Sequence, residues 1–211
     1  MNQLKQNLIS QLLMTNDFES WNCFEPKYFG ADTRSVPFFS EVSQETALLL
    51  ISQLKHLEEL EEEKPITIFL NTPGGSLTDA LAIHDTITQL ACPVIIHAMG
   101  LCASAGLLIT SAADYRVASP NTTFYYHQPV MDSSHINSLD NMNHLNDHYN
   151  HCKELTDEII KTRAKIKKTT WAKNFEGKTS FYFSAEEALG FKLIDAISES
   201  AKLDYEIKKE G

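Results

Sequence analysis

Apolar residues recur along this chain at two spacings, and the spacing changes mark its elements. Ala47, Leu50, Ile51, Leu54 and Leu57 step by three and four, which predicts a helix beginning at Ser43. Residues 66–70 form a short apolar strand, closed by Asn71-Thr72-Pro73-Gly74-Gly75. Ala80, Ile83, Ile87 and Leu90 then mark one face of a second helix. Pro93 punctuates, and 94–98 reads as another strand. Gly100 is expected to turn the chain into 104–113, small and apolar enough for a buried helix. Residues 115–118 and 123–126 read as strands around a Pro120-Asn121 turn. Upstream, 34–42 reads as a strand that Pro37 interrupts or confines to a sheet edge. Strands alternating with helices across short turns predict an α/β fold with parallel strands.

After His127-Gln128-Pro129 the period lengthens. Leu139, Met142, Leu145, Tyr149, Cys152, Leu155 and Ile159 predict one amphipathic helix over about 138–162. That is longer than a domain of this size needs, so it is expected to protrude and carry a subunit contact. Residues 161–178 read as basic and then irregular. Ser184-Ala185-Glu186-Glu187 has the capping-box pattern and Gly190 offers a stop, giving a short helix over 185–189 and a last strand over 191–197. Residues 1–33 form an N-terminal arm, with a short helix at 3–14 on Leu4, Leu8 and Leu12 and an irregular aromatic stretch at 21–29. Residues 34–198 make the main domain, and 199–211 a polar tail.

Composition narrows the function. A chain of 211 residues suits one such domain. Its net charge of −10 argues against a nucleic-acid partner. No apolar run approaches the roughly 20 residues that span a bilayer, and MNQLKQNLISQLL lacks the apolar core of a signal peptide, so a cytoplasmic protein with no membrane contact is expected. The acidic run Glu58, Glu59, Glu61, Glu62, Glu63 reads as a solvated helix end rather than a docking patch. Cys23, Cys92, Cys102 and Cys152 show no disulfide or CxxC spacing and are expected to be reduced, mostly core residues.

Two glycine-bearing turns follow strands. Gly74-Gly75 lets backbone N–H groups approach a ligand closely, although neither GxxxxGK[ST] nor GxGxxG is present. In Gly100-Leu101-Cys102-Ala103-Ser104-Ala105-Gly106, Ser104 would begin the buried helix, where free N–H groups favour developing negative charge. Taken alone, Ser104 reads as a helix cap. His127 follows a strand, and alone it reads as structural. His144-Leu145-Asn146-Asp147-His148, with His151 a turn on, could ligate zinc on one helix face, although exposed helix histidines are the simpler reading. Cys102 is a weaker nucleophile candidate than Ser104, because nothing in the sequence marks a lowered thiol pKa.

Taken together, Asn71-Thr72-Pro73-Gly74-Gly75, Met99-Gly100-Leu101-Cys102-Ala103-Ser104-Ala105-Gly106 and Tyr126-His127-Gln128-Pro129 resemble the three signature blocks of the Clp protease proteolytic subunit, a serine endopeptidase. The resemblance runs from about Arg34 to Ile197 and takes in Asp85-Thr86, Ser184-Ala185-Glu186-Glu187-Ala188 and Leu193-Ile194-Asp195. It implies a crotonase-like ββα/βαβ spiral of ClpP type with a protruding handle helix. It implies Ser104 as nucleophile, His127 as its base, and the N–H groups of Gly75 and Ala105 as the oxyanion hole. An extended polypeptide would lie along Gly74, Gln128 and Pro129. The resemblance also implies seven-membered rings, stacked in pairs, a Clp-type ATPase or paralogous subunit as partner, and no metal or cofactor.

The sequence departs from the family at one chemical position. The triad Asp lies four residues before the serine of the SAEEA-like block, which here is Ser180. Phe181 replaces the neighbouring Arg, which in the family helps couple the rings, and the nearest upstream acid is Glu176. The expected activity is therefore low or conditional, with a structural or regulatory subunit of a mixed ring as the alternative. Val130-Met131-Asp132-Ser133-Ser134-His135 also lacks the family's usual glycine pair.

Overall fold

The computed structural model describes residues 33–130 and 139–198. The helix expected at 3–14, the segment 21–29, Cys23, the stretch 131–135 and the tail 199–211 lie outside the described residues. Strands β1 (Ser35–Phe38), β2 (Ile66–Thr72), β3 (Val94–Ala103), β4 (Tyr115–Ala118) and β7 (Ala196–Ile197) pair in that order, all parallel. Pro37 is tolerated because β1 is an edge strand among the described residues. β5 (Thr123–His127) pairs in parallel with the far end of β3 and antiparallel with β6 (Ser180–Ser184).

β3 joins these two regions. Its first half, Ile95 to Ala98, pairs with β4, and Leu101 to Ala103 pair with β5. Gly100 therefore does not end the strand, contrary to the expectation. It adopts φ +64° inside β3, where a side chain would press on the Asn71 amide, and Asn71 Oδ1 accepts from the Leu101 N–H at 3.1 Å. The kink lets one strand serve two sheet regions.

Helices α1 (Gln44–Leu60) and α2 (Leu77–Gln89) bury the faces the periodicity predicts, including Leu50, Leu54, Ile83 and Ile87. Ser43 caps α1. At its other end the buried Arg34 guanidinium donates to the carbonyls of Leu57, Lys64 and Pro65. Every residue of α3 (Ala105–Ala112) is buried, which its run of small and apolar residues permits. In α4 (Leu139–Arg163), Cys152 and Ile160 reach the core, whereas Met142, His144, Asp147 and His148 are exposed.

Other boundaries differ from expectation too: the strand expected over 34–42 is only Ser35–Phe38, and β6 is not among the expected strands. Residues 161–178 contain a further helix, α5 (Lys168–Asn174), whose Trp171 stacks on Phe175 at 4.5 Å. α6 (Ala185–Phe191) has the expected capping box but continues through Gly190, and its left-handed cap is Lys192 at φ 73°. The last strand is only Ala196–Ile197.

An ion pair closes the sheet beside β7. The Arg116 guanidinium, nearly buried, donates to Asp195 through Nε (2.9 Å) and Nη2 (2.7 Å), and its backbone N–H does so too (2.9 Å). Burial alone would raise the Asp195 carboxyl, but the Arg116 hydrogen bonds and charge hold it below the usual carboxylate range. A depressed folded pKa stabilises the fold above the unfolded pKa, and that contribution is lost as pH falls through the folded value. Asp195→Asn is expected to destabilise by about 2–4 kcal/mol at pH 7 and to flatten the acid limb of stability. Urea melts at neutral and acidic pH would show this; equal losses in both proteins on acidification would refute the linkage.

Candidate active site

The turn after β2 folds against the N-terminus of α3. Gly74 has φ +93°, and a Cβ there would lie 2.6 Å from Ser104 Cβ and 2.8 Å from Ala103 O. Glycine thus allows contact between this turn and the serine. Thr72, fully buried, fixes the turn by accepting from the Gly74 N–H at 3.1 Å, and its methyl fills the space beside Gly106. The Val42 N–H donates to Gly74 O and the Ser76 N–H to Val42 O, each at 2.8 Å. This bridge uses the residues on either side of Gly75 and leaves the Gly75 N–H out of it.

Ser104 occupies the capping position of α3, yet its side chain makes no capping bond. The simple capping reading is therefore corrected. Its backbone sits at φ 55°, ψ −117°, a region that costs a non-glycine residue on the order of 1–3 kcal/mol. Its N–H donates to Tyr125 O at 2.8 Å, anchoring it to β5 two residues before His127. Ala105 is the first helical residue, so its N–H has no intrahelical acceptor. A strained strand-to-helix turn that presents a free hydroxyl beside such N–H groups can support nucleophilic attack with oxyanion stabilisation.

His127 ends β5, half-buried. Its Nδ1 lies 2.6 Å from Gln128 O. A carbonyl only accepts, so Nδ1 is the donor in this contact, which leaves Nε2 as the ring nitrogen able to take a proton. Among the described residues, no hydrogen bond joins His127 to Ser104 Oγ. Ser180 lies directly across from His127 in the β5–β6 pair. The Gln128 N–H donates to Thr179 O at 2.9 Å, which makes His127–Ser180 a narrow pair without mutual main-chain bonds, the class in which side chains stand closest. Tyr125 and Tyr182 share that face, stacked at 4.2 Å, and Tyr125 sits 5.4 Å from the imidazole. Glu176 is exposed in the turn after α5, and among the described residues no hydrogen bond or ion pair joins it to His127. Phe181 packs with Tyr126, Phe175 and Phe183, as a hydrophobic residue rather than a charged one.

The other candidates separate from this cluster. Cys102 is fully buried, and burial pushes its thiol up to about 12 despite a contact with Thr110 Oγ1 at 3.3 Å. It is an inert thiol. Cys92 and Cys152 are also buried and free. His144, His148 and His151 lie exposed on α4, and among the described residues no group of three or more His, Cys, Asp or Glu is placed to share a metal ion. Nor is any helix among the described residues long and apolar enough to cross a membrane. Glu58 is only partly solvated: it accepts from the Ala91 N–H at 2.6 Å, a bond that lowers its pKa and ties the end of α1 to the turn before β3.

The fold is of ClpP type. A ClpP1 mutant from Listeria monocytogenes matches with a TM-score of 0.71 and 28% identity, covering 82% of this chain and 95% of that one. The chain belongs to the Clp protease family, whose profile matches residues 28–201. It is 34% identical over 166 residues to the ATP-dependent Clp protease proteolytic subunit 3 of Synechococcus sp. (strain CC9902), covering 75% of this chain and 78% of that one. It is 30% identical over 159 residues to the ATP-dependent Clp protease proteolytic subunit of Leuconostoc citreum (strain KM20), covering 74% and 78%. Membership points to peptidase activity.

Proposed function

We propose that this chain is a serine endopeptidase subunit that hydrolyses unfolded polypeptides or short peptides through Ser104 and His127. One observation carries the reading. Ser104 is held in a strained conformation at the start of α3, its hydroxyl unused for capping, with the Gly74-Gly75 turn packed against its Cβ. In this mechanism Ser104 Oγ attacks the scissile carbonyl as His127 Nε2 takes its proton. The N–H groups of Gly75 and Ala105 receive the oxyanion. The imidazolium then protonates the leaving amine, and water, activated by the same ring, releases the acyl group. The substrate strand runs between the Gly74-Gly75 turn and Gln128-Pro129. The subunit self-associates into heptameric rings through contacts that include α4, works in the cytoplasm, and receives unfolded chains from a Clp-type ATPase.

A second reading rests on Ser180. A hydroxyl there cannot stabilise an imidazolium as a carboxylate does, which favours a weak subunit that contributes structure or regulation to a mixed ring. Incubation with a fluorophosphonate, followed by intact-mass analysis, separates the two. A single adduct, absent from Ser104→Ala, is the expected result. No adduct on assembled protein would leave the second reading standing.

A further inference from the structure

Among the described residues no carboxylate bonds to His127, yet its ring is held, and what holds it is itself held. Each polar group of Gln128 is engaged. Its carbonyl accepts from His127 Nδ1 (2.6 Å), its N–H donates to Thr179 O (2.9 Å), and Nε2 donates to Lys178 O (3.2 Å). Its Oε1 accepts from the Tyr149 hydroxyl of α4 at 2.8 Å. On the other side of His127, the Tyr126 hydroxyl donates to Asp157 Oδ1 at 2.7 Å, and Lys153 pairs with the same carboxylate at 2.9 Å. The catalytic candidate thus stands between two residues whose side chains are both anchored on α4.

Resting on the Ser104–His127 reading, we propose that Tyr149 is a positioning residue. Its bond to Gln128 fixes the main-chain carbonyl that takes the place of the missing triad carboxylate and keeps the proton on His127 Nδ1. The physical argument is one of orientation. A carbonyl is a weaker partner for an imidazolium than a carboxylate, so its value depends on being aimed at Nδ1 without reorganisation. The Gln128 carbonyl belongs to the peptide that leaves β5 towards Pro129, one step beyond the main-chain bond from the Gln128 N–H to Thr179 O, so its aim depends also on how the Gln128 side chain is held. Tyr149 holds it from a different element. The state of α4 is thereby coupled to the state of the base.

The test is a cycle of four proteins: the natural chain, Tyr149→Phe, Ser180→Asp, and the double variant. Each is checked for assembly and timed for fluorophosphonate adduct formation at Ser104. Tyr149→Phe removes only the hydroxyl and is expected to slow labelling by about 3–10-fold, the range of one net hydrogen bond. With a carboxylate at position 180 the carbonyl is no longer needed, and the same substitution is expected to change the rate less than twofold, about the size of a residual effect between uncoupled sites. Gln128→Met cuts the same link without altering α4 and should behave alike. Equal slowing in both backgrounds would show Tyr149 to be merely structural, and no slowing in either would also overturn the proposal. Labelling of Ser180→Asp but not of the natural chain would show that the carbonyl does not substitute, while keeping Ser104 as nucleophile. Absence of labelling in all four would remove the Ser104 reading itself.

Discussion

Ser180→Asp is expected to raise turnover by about 10²-fold, since a triad lacking its carboxylate loses about 10⁴-fold and the Gln128 carbonyl is proposed to recover part of that. The register makes the substitution specific. Positions 127 and 180 form a narrow antiparallel pair, so their Cβ atoms are expected about 4.5–5.5 Å apart on one face. An Asp side chain adds one carboxyl to that gap and is expected to reach Nδ1. It would share or displace the present bond to Gln128 O, and its charge would stabilise the imidazolium formed as Ser104 loses its proton. A factor of 10² is about 2.7 kcal/mol of barrier. Ser180 is exposed, so the new carboxylate remains partly solvated and its desolvation cost is small. Hydrolysis of a fluorogenic peptide by equally assembled samples is the measurement. An unchanged or lower kcat would mean that His127 is not limited by its Nδ1 partner.

The parts of this site legible in the sequence are those encoded locally. Alternation in Ile66, Ile68 and Leu70 marks a half-buried strand, and the glycine pair after it marks a close approach. Ser43 and Ser184 announce helix starts through their own side chains. What escaped depends on distant chain. Gly100 has the composition of a turn, but pairing with both β4 and β5 keeps it within a strand. Ser180-Phe181-Tyr182-Phe183-Ser184 becomes β6 because β5 offers it an edge on the far side of α4 in sequence. The aromatic cluster around Phe175 likewise turns an apparently irregular stretch into a helix. Lys192 ends α6 because the chain must turn left-handed there, whereas Gly190 has only the residue type for it. The strained φ of Ser104 has no sequence signature, since nothing in the residue type announces it. Tyr149 looks like one more member of an amphipathic stripe, and only the folded chain shows where its hydroxyl points.

Gly74→Ala is expected to lower the Ser104 labelling rate by about 10³-fold, because it disturbs the proposed nucleophile and the proposed oxyanion donor together. A Cβ at this position would sit 2.6 Å from Ser104 Cβ, 2.8 Å from Ala103 O and 3.1 Å from the Ala105 nitrogen. Two of these contacts are with backbone and the third with the Cβ of Ser104, so no flexible side-chain end can give way. The turn must retreat from α3, and the Gly75 N–H retreats with it. Misplacement by about 1 Å can cost 10²-fold, and loss of one oxyanion donor costs about 10²–10³-fold. The left-handed φ of +93° adds strain of about 1–3 kcal/mol to the fold. Gly190→Ala is the matched control: its Cβ meets nothing within 4 Å, and alanine inside α6 is expected to stabilise by about 0.5–1 kcal/mol. Because strain and displacement have different signatures, melting and labelling should be read on the same samples. A Gly74→Ala protein that is destabilised but labels at the natural rate would separate the turn from the chemistry. It would show that the contact with Ser104 serves folding alone.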